Sequence, residues 1–580
     1  MSIDTLEDER EVVRVAVIGV GSAGLGQLKQ LVDAFNRPDV RATKRLVLVG
    51  YEARPDVGGI WNHDPHPERF VLRHLRDARG VEKTVMYPPK DENPTAIYDG
   101  LQSLTPHEIM AFRELTFPKG TDTFPPGTEV CDYLKAYADK FDLRRHVRFS
   151  TRVERLYKSS SEDGLPTWIV ESRGGAQGEA QVDRFDYVSV CNGHYNDPWI
   201  PTMPGLRDFP GQILHSREFR RATDYAGKTV LVIGSFSSGS DISRLLANLN
   251  VGHYAPDGTP LQIDPEAASP PSHGFTKVYQ STTGLLHRAY VEDPQTPWHG
   301  YITKLPLIHH FEPSSPSHPK GRVHFKGDPQ PAHPPLTDVD LVIFCTGYSN
   351  CLPFIKASDL PWKENRVLEE VISGEEREGG DEWEVGGLRG LCMSGLDPML
   401  IFLQQDRSLG FIGLPYSIIP FPFSEVQSRL TAYLWAGLLP SLPATLTPPL
   451  NTYNQYFDPI TKTPAFAADP AVPSTSPEQA SPPPTSTTDP SGHAQAPRGE
   501  AVAKIRQSLL NRREFVFPHP YEWEYTEYVF SLLQAAEDRL DALQAGSKGG
   551  SPLSEHWRAV EPWRREIRGD EGLRKRVLGY

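Results

Sequence analysis

Two glycine-punctuated turns constrain this chain more than any other feature. The stretch VAVIGVGSAGLG (residues 15–26) runs from an apolar, β-branched segment through Gly19, Gly21 and Gly24 into residues with helical spacing. The spacing predicts a buried parallel strand over 12–19, a tight turn, and a helix over 23–35. In such a turn the first glycine permits the sharp exit from the strand. The second lets backbone approach a pyrophosphate, and the third lets the helix pack close to the strand. The helix start then offers unpaired N–H groups and the positive dipole end to phosphate. A second stretch, VLVIGSFSSGSDI (residues 230–242), repeats the pattern with Phe236 where the middle glycine would stand. Two dinucleotide sites in one α/β chain are therefore expected.

The first turn has a partner further on. RLVLVGYE (residues 45–52) reads as the next strand, and Glu52 at its end can accept hydrogen bonds from both hydroxyls of a ribose. Glu52 stands 28 positions after Gly24, slightly beyond the usual spacing, and the loop NRPDVRATK absorbs the excess. A helix is expected over 129–143, strands through HVRFSTRVERLYK, TWIVES and FDYVSVC, and a strong buried strand in DVDLVIFCTGY (residues 338–348). Residues 252–272 read as a loop insertion. Residues 459–497 hold ten prolines among Ser, Thr and Ala and read as disordered. Helix is expected again over 500–510 and 524–543.

Composition narrows the function classes. A formal charge of −14 without a long basic run argues against nucleic acid as a partner. Five cysteines with no CxxC pair argue against a disulfide scaffold, a zinc ribbon and a redox dithiol, and point to a reducing, cytoplasmic setting. The acidic N-terminus lacks a signal-peptide layout, and no apolar run reaches the roughly 20 residues of a membrane span. His63, His66 and His74 cluster, as do His309 and His310, with no cysteine or carboxylate read at metal spacing; no metal site is expected. There is no G-x-S-x-G nucleophile elbow.

DVGGIWNHD follows the Glu52 strand, with Gly58, Gly59, Ile60 and Trp61. FPGQILHSREF then spaces Phe209, Gly211, His215 and Phe219 as F-x-G-x-x-x-H-x-x-x-F. With this motif the sequence resembles the flavin-containing monooxygenases, of the class B flavoprotein monooxygenase type. YDGLQSLTPHEIMAF (residues 98–112) resembles that family's loop near the flavin. CNGHYNDPWIP (191–201) and FCTGYSNCLPF (344–354) resemble its two linkers, and LGFIGLPYSIIPFPFSEVQSRL (409–430) its return to the first domain.

The resemblance implies two Rossmann-like domains, the NADPH domain inserted into a discontinuous FAD domain. Expected bounds are 1–209 and 346–458 for FAD, 210–345 for NADPH, 459–498 for the Pro-rich insertion and 499–580 for a helical C-terminal segment. It implies FAD held by Gly19, Val20, Gly21, Ser22, Ala23, Gly24, Glu52, Gly59, Ile60, Trp61 and Gln427. It implies NADPH held by Gly234, Ser235, Phe236, Ser237, Ser238 and Gly239, with Lys277 and Ser281, and also Thr282 and Arg288, as candidates for the 2′-phosphate. Leu104 takes the place where the family usually carries Asn at the flavin edge; in an alternative register Thr105 does. His215 is read as a buried structural histidine rather than a base. The implied reaction is oxygenation of a nucleophilic nitrogen or sulfur of a small molecule by O2, through a C4a adduct of the flavin. A Baeyer–Villiger enzyme shares these cofactors but ends the motif in Trp. An NADPH oxidase or reductase, and a flavin-binding protein without activity, are further alternatives. An oligomer is compatible with the sequence.

Overall fold

The computed structural model describes residues 10–66, 69–76, 82–87, 95–160, 166–174, 178–251, 274–282, 296–327, 333–364, 367–370, 388–439, 441–442, 520–544, 555–570 and 572–578. The expected insertions at 252–272 and 459–498, the helix at 500–510, and Arg288 lie outside these.

The apolar run of the first turn forms β1 (Glu11–Ile18), and the turn leads into α1 (Ser22–Asn36) and back to β2 (Lys44–Tyr51). β1 and β2 pair parallel, from Glu11 against Lys44 to Ile18 against Tyr51. Beyond α2 (Gly127–Lys140), β3 (Val147–Arg148) adds to the outer edge of β2. An antiparallel layer follows: β4 (Thr151–Ser160), β5 (Pro166–Gly174) and β6 (Glu179–Phe185). β7 (Tyr187–Val190) then pairs parallel with β1 on its other side. β1 is thus the strand from which successive connections depart in opposite directions. In open parallel sheets that is where a crevice forms for a ligand.

The second unit is contiguous. Its parallel sheet runs in the order β8 (Gln212–His215), β14 (Leu341–Phe344), β9 (Thr229–Ile233), β10 (Lys277–Ser281), β11 (Ile302–Leu305). β9 and β14 are buried along their whole length, so they read as unbroken apolar runs rather than alternating ones. α3 (Ser237–Asn248) follows β9, and a hairpin of β12 (Ile308–Glu312) and β13 (Arg322–Phe325) closes one end.

The chain then returns to the first sheet. β15 (Phe402–Leu403) pairs antiparallel with β16 (Asp406–Phe411), and β16 pairs parallel with β7, Leu409 against Val188. The first unit is therefore discontinuous and the second is inserted into it. α4 (Pro420–Trp435) is buried on nearly every face, and α5 (Tyr521–Gln544) packs on its outer side. The buried Arg429–Glu537 ion pair joins α4 to α5, with Nε of Arg429 2.7 Å from Oε1 of Glu537. Glu522 accepts from the N–H of Ile419 at 2.8 Å. No helix among the described residues is long and apolar enough to cross a membrane.

Candidate dinucleotide sites

The first turn is built by close backbone contact. Gly19 has φ +91°, and a Cβ there would stand 2.6 Å from the carbonyl oxygen of Cys191. A Cβ on Gly24 would stand 2.0 Å from the carbonyl oxygen of Gly19. These two glycines let β1, the start of α1 and the end of β7 meet. Gly21 serves a different need: its nearest neighbour is Gly59, whose Cα lies 3.4 Å from where a Gly21 Cβ would be. Gly59 itself has φ +56°, and a Cβ there would stand 2.9 Å from the Cα of Gly21. Residues 58–59 therefore lie across the turn, with the half-buried Ile60 and Trp61 following. Trp61 meets Phe421 edge to face at 6.4 Å.

This cradle fits a pyrophosphate. No side chain caps α1, and its first turn carries no acidic residue. The N–H groups of Ser22, Ala23 and Gly24 have no acceptor within the helix and face the turn with the positive dipole end behind them. The Glu52 carboxylate is buried and oriented, one oxygen accepting from the N–H of Val20 at 2.8 Å and the other from Arg54 at 2.9 Å. Each oxygen keeps lone-pair capacity for a ribose hydroxyl.

Gln427 sits elsewhere than a ligand would. It is fully buried; Oε1 accepts from Gly413 N–H at 2.9 Å and Nε2 donates to Tyr525 at 3.1 Å. A Cβ on Gly413 would lie 3.4 Å from that of Ala23. Gln427 therefore fixes the loop that covers the start of α1, and Tyr525 of α5 fixes Gln427.

The second turn repeats the first. Gly234 has φ +111°, its Cβ would stand 2.4 Å from Cys345 O, and a Cβ on Gly239 would stand 2.2 Å from Gly234 O. At the middle position the backbones coincide: Gly21 has φ −77° and ψ −159°, Phe236 has φ −82° and ψ −164°. Neither conformation requires glycine. The difference is what lies over the turn: Gly59 in one, and at Phe236 a side chain that is 49% exposed. α3 also starts without a side-chain cap or an acidic first turn. Ser235 and Thr282 share a hydroxyl hydrogen bond of 2.8 Å, and Ser240 donates to Ser235 O at 2.7 Å. Ser237 and Ser238 form the first helical positions.

Of the two expected phosphate partners, one is misplaced and the other is already engaged. Lys277 pairs with Thr229 at the start of the parallel strands, whereas Gly234 follows their far ends. Dinucleotides bind outside the carboxyl ends. Lys277 instead bonds Asp338 at 2.6 Å on the opposite edge. Ser281 is at the correct end, but its buried hydroxyl donates to Pro306 O at 2.8 Å. Thr282, one residue on and bonded to Ser235, is at the mouth.

The loop expected at the flavin edge bridges the units. Tyr98 donates to Asp241 of α3 at 2.8 Å and meets Phe219 edge to face at 5.4 Å. Leu104 is 41% exposed, while Thr105 is buried and its carbonyl accepts from Ser103. His215 is buried; its Nδ1 accepts from Arg217 N–H, so Nε2 carries the proton donated to Gly347 O at 3.0 Å. Burial lowers its pKa to about 3. It is a neutral tie between β8 and the linker.

His194, inside the quoted CNGHYNDPWIP segment, was not singled out by sequence. It is buried against Tyr195 and Tyr416, at 4.4 and 4.3 Å, and neither ring nitrogen makes a hydrogen bond. Burial lowers its pKa to about 4. It stands three residues after Cys191, which abuts Gly19.

Two glycine turns of one geometry, one crossed by Gly59 and one bearing Phe236, on a discontinuous sheet with an inserted second sheet, define a protein with two dinucleotide-type folds. Residues 85–251 match the family described as Flavin-binding monooxygenase-like. The chain is 28% identical over 430 residues to the Arabidopsis thaliana flavin-containing monooxygenase FMO GS-OX-like 9, covering 73% of this chain and 76% of that one. It is 27% identical over 433 residues to FMO GS-OX5 of the same plant, covering 73% and 74%. In fold it is similar to S-allyl-L-cysteine S-oxygenase from Allium sativum, with a TM-score of 0.57 at 19% identity, covering 98% of this chain and 94% of that one. It is also similar to Tmm from a Pelagibacter strain, with a TM-score of 0.50 at 21% identity, covering 74% and 77%. The chain is thus similar to the flavin-containing monooxygenases, and these likenesses support an FAD-dependent monooxygenase that uses NADPH.

Proposed function

We propose that the enzyme oxygenates a nucleophilic sulfur or nitrogen of a small molecule, in specialised metabolism, in a reducing cytoplasmic compartment. FAD supplies the redox chemistry that takes hydride from NADPH and activates O2. The first turn, residues 19–24, would hold the FAD pyrophosphate on the N–H groups of α1, and Glu52 its ribose. Gly59, Ile60 and Trp61 would cover it. Residues 234–239, with Thr282, would hold NADPH. The FAD unit would comprise residues 1–209 and 346–458 with the NADPH unit between, the helix Tyr521–Gln544 of the 499–580 segment buttressing the former.

The observation that carries the reading is a pair of turns of the same backbone, one crossed by Gly59 and the other, among the described residues, bearing a half-exposed Phe236 in its place. A resident group and an exchanging group need that difference. The uncovered Leu104 side chain, at the loop that spans both units, would present an apolar wall to substrate and exclude water. Sulfur is favoured over carbonyl carbon by two features. Phe219 stands where Baeyer–Villiger enzymes carry Trp, packed against Tyr98 at the root of that loop. The S-oxygenase named above matches nearly the full length of the fold. The test is NADPH consumption and peroxide release with a panel of thioethers, amines and ketones, with products read by mass. One added oxygen on a thioether or amine is expected. A ketone converted to an ester as the preferred reaction would overturn the reading, and so would NADPH turnover that yields only peroxide with every compound.

A further inference from the structure

The hairpin of β12 and β13 carries a cluster that the two nucleotide sites do not use. Alternation along the strands turns Phe311, Val323 and Phe325 inward and leaves His310, Glu312, Arg322 and His324 on the outer face. His310 is directly opposite His324, and Glu312 opposite Arg322. A register shift between Ile308 and His310 sets this phase. His310 and His324 stack nearly parallel, with centroids 4.3 Å apart. The Nε2 atoms of His324 and His310 lie 3.1 and 3.5 Å from the same oxygen, Oε1 of Glu312. One ligand atom from each of the three residues falls within 4.8 Å of the others.

We propose that His310, Glu312 and His324 form a binding site for one divalent transition-metal ion of the zinc kind. Zinc binds imidazole nitrogen and carboxylate oxygen at about 2.0–2.1 Å, so tetrahedral ligands stand about 3.3 Å from one another. The two nitrogen–oxygen separations bracket that value. The donors also suit the metal: two imidazoles and a carboxylate select zinc, copper or nickel over magnesium or calcium. The groups behind the ligands are in place. Arg322 engages Oε2 of Glu312 and leaves Oε1 to the histidines. Nδ1 of His310 is 2.7 Å from Nδ1 of His309. With the proton on His310 Nδ1 in that bond, its Nε2 presents a lone pair. Nε2 of His324 is shielded from solvent yet outside hydrogen-bond geometry with Glu312. A metal would use that nitrogen. The three side chains remain between a quarter and a third exposed, which leaves a fourth position open to water or a small anion. The sequence reading missed this set because His324 arrives only through strand pairing.

The alternative is a hairpin ion-pair network without affinity for metal, and titration distinguishes the two. The probe is zinc alone, added to chelator-treated holoenzyme and followed by calorimetry. Saturable binding of one ion per chain is expected. His310→Ala, His324→Ala and Glu312→Gln should each weaken it at least about tenfold, with FAD content unchanged to show that the fold is kept. His318→Ala, in the turn of the same hairpin, should bind as the native protein does. Zinc-edge absorption spectroscopy should report two imidazole nitrogens. No saturable binding, or native affinity in His324→Ala, would overturn the proposal.

Discussion

Gly24→Ala tests the cradle most directly. The new Cβ would stand 2.0 Å from the carbonyl oxygen of Gly19, and ordinary contact begins near 3.4 Å. The start of α1 must therefore move about 1.4 Å from the turn, or the turn must open. A hydrogen bond of about 2.9 Å lengthened by that amount is no longer one. Losing two charge-assisted bonds to the pyrophosphate, at about 1.5–3 kcal/mol each, weakens FAD by about two to four powers of ten. The helix gains only about 1 kcal/mol of propensity from alanine. Gly26→Ala is the internal control. Two residues on in the same helix, its Cβ would find nothing nearer than 3.6 Å, so FAD should stay and stability should rise slightly. Flavin-to-protein absorbance after gel filtration, and fluorescence-quench titration of the apoprotein with FAD, measure both. Native affinity in Gly24→Ala would refute the packing argument. Equal loss in Gly26→Ala would show that the helix is intolerant of any added methyl group.

Gly239→Ala, whose Cβ would stand 2.2 Å from Gly234 O, should raise KM for NADPH at least about tenfold while flavin content stays native; steady-state kinetics with absorbance checks both. Lys277→Ala should leave the ratio of kcat/KM for NADPH and NADH unchanged, because the lysine lies at the wrong end of β10; a narrowed ratio would return it to the site. Leu104→Asn should lower the peroxide released per NADPH consumed, since an amide can hydrogen-bond the flavin edge where leucine cannot, an effect of about 1.5–3 kcal/mol. If peroxide release rises, the leucine serves substrate packing. Burial pushes Glu425 up to about 7 from an ordinary 4.5, so the folded state holds a proton that the unfolded chain releases. Its contribution is full below about pH 4.5 and is lost as pH climbs toward 7. Thermal unfolding of Glu425→Gln should show a flatter profile over that window than the native enzyme, and superimposable profiles would contradict this.

Much of the frame was legible because it rests on local spacing. Gly19 with Gly24, and Gly234 with Gly239, meet across one turn, so the sequence interval carries the geometry. The period of residues 524–543 likewise marks the helix found at Tyr521–Gln544. Placement across the sheet was not legible. Lys277 and Ser281 belong to one short strand, and only pairing with β9 reveals which end faces the nucleotide. Gln427 matched a family segment, yet its amide is taken up by Gly413 and by Tyr525, which arrives from far along the chain. Phe236 looked like a defect in the motif. The shared φ and ψ of Gly21 and Phe236 show that the middle glycine is a matter of space above the turn, a property that only the remote Gly59 decides.

The discontinuous first sheet also bears on how the protein is made. β1 and the first glycine turn leave the ribosome well before their later partners. Their sheet gains β16 only after residue 406 is synthesised, and the loop over α1 gains its Tyr525 tie later still. At about 5–20 residues per second, the early strands wait from about twenty seconds to about a minute and a half for these partners. The inserted unit needs nothing beyond β14 to complete its own sheet. It can fold first, while apolar strands upstream stay uncovered. Chaperone demand during translation therefore falls on the discontinuous unit, and slowing elongation between residues 345 and 406 would prolong that exposure.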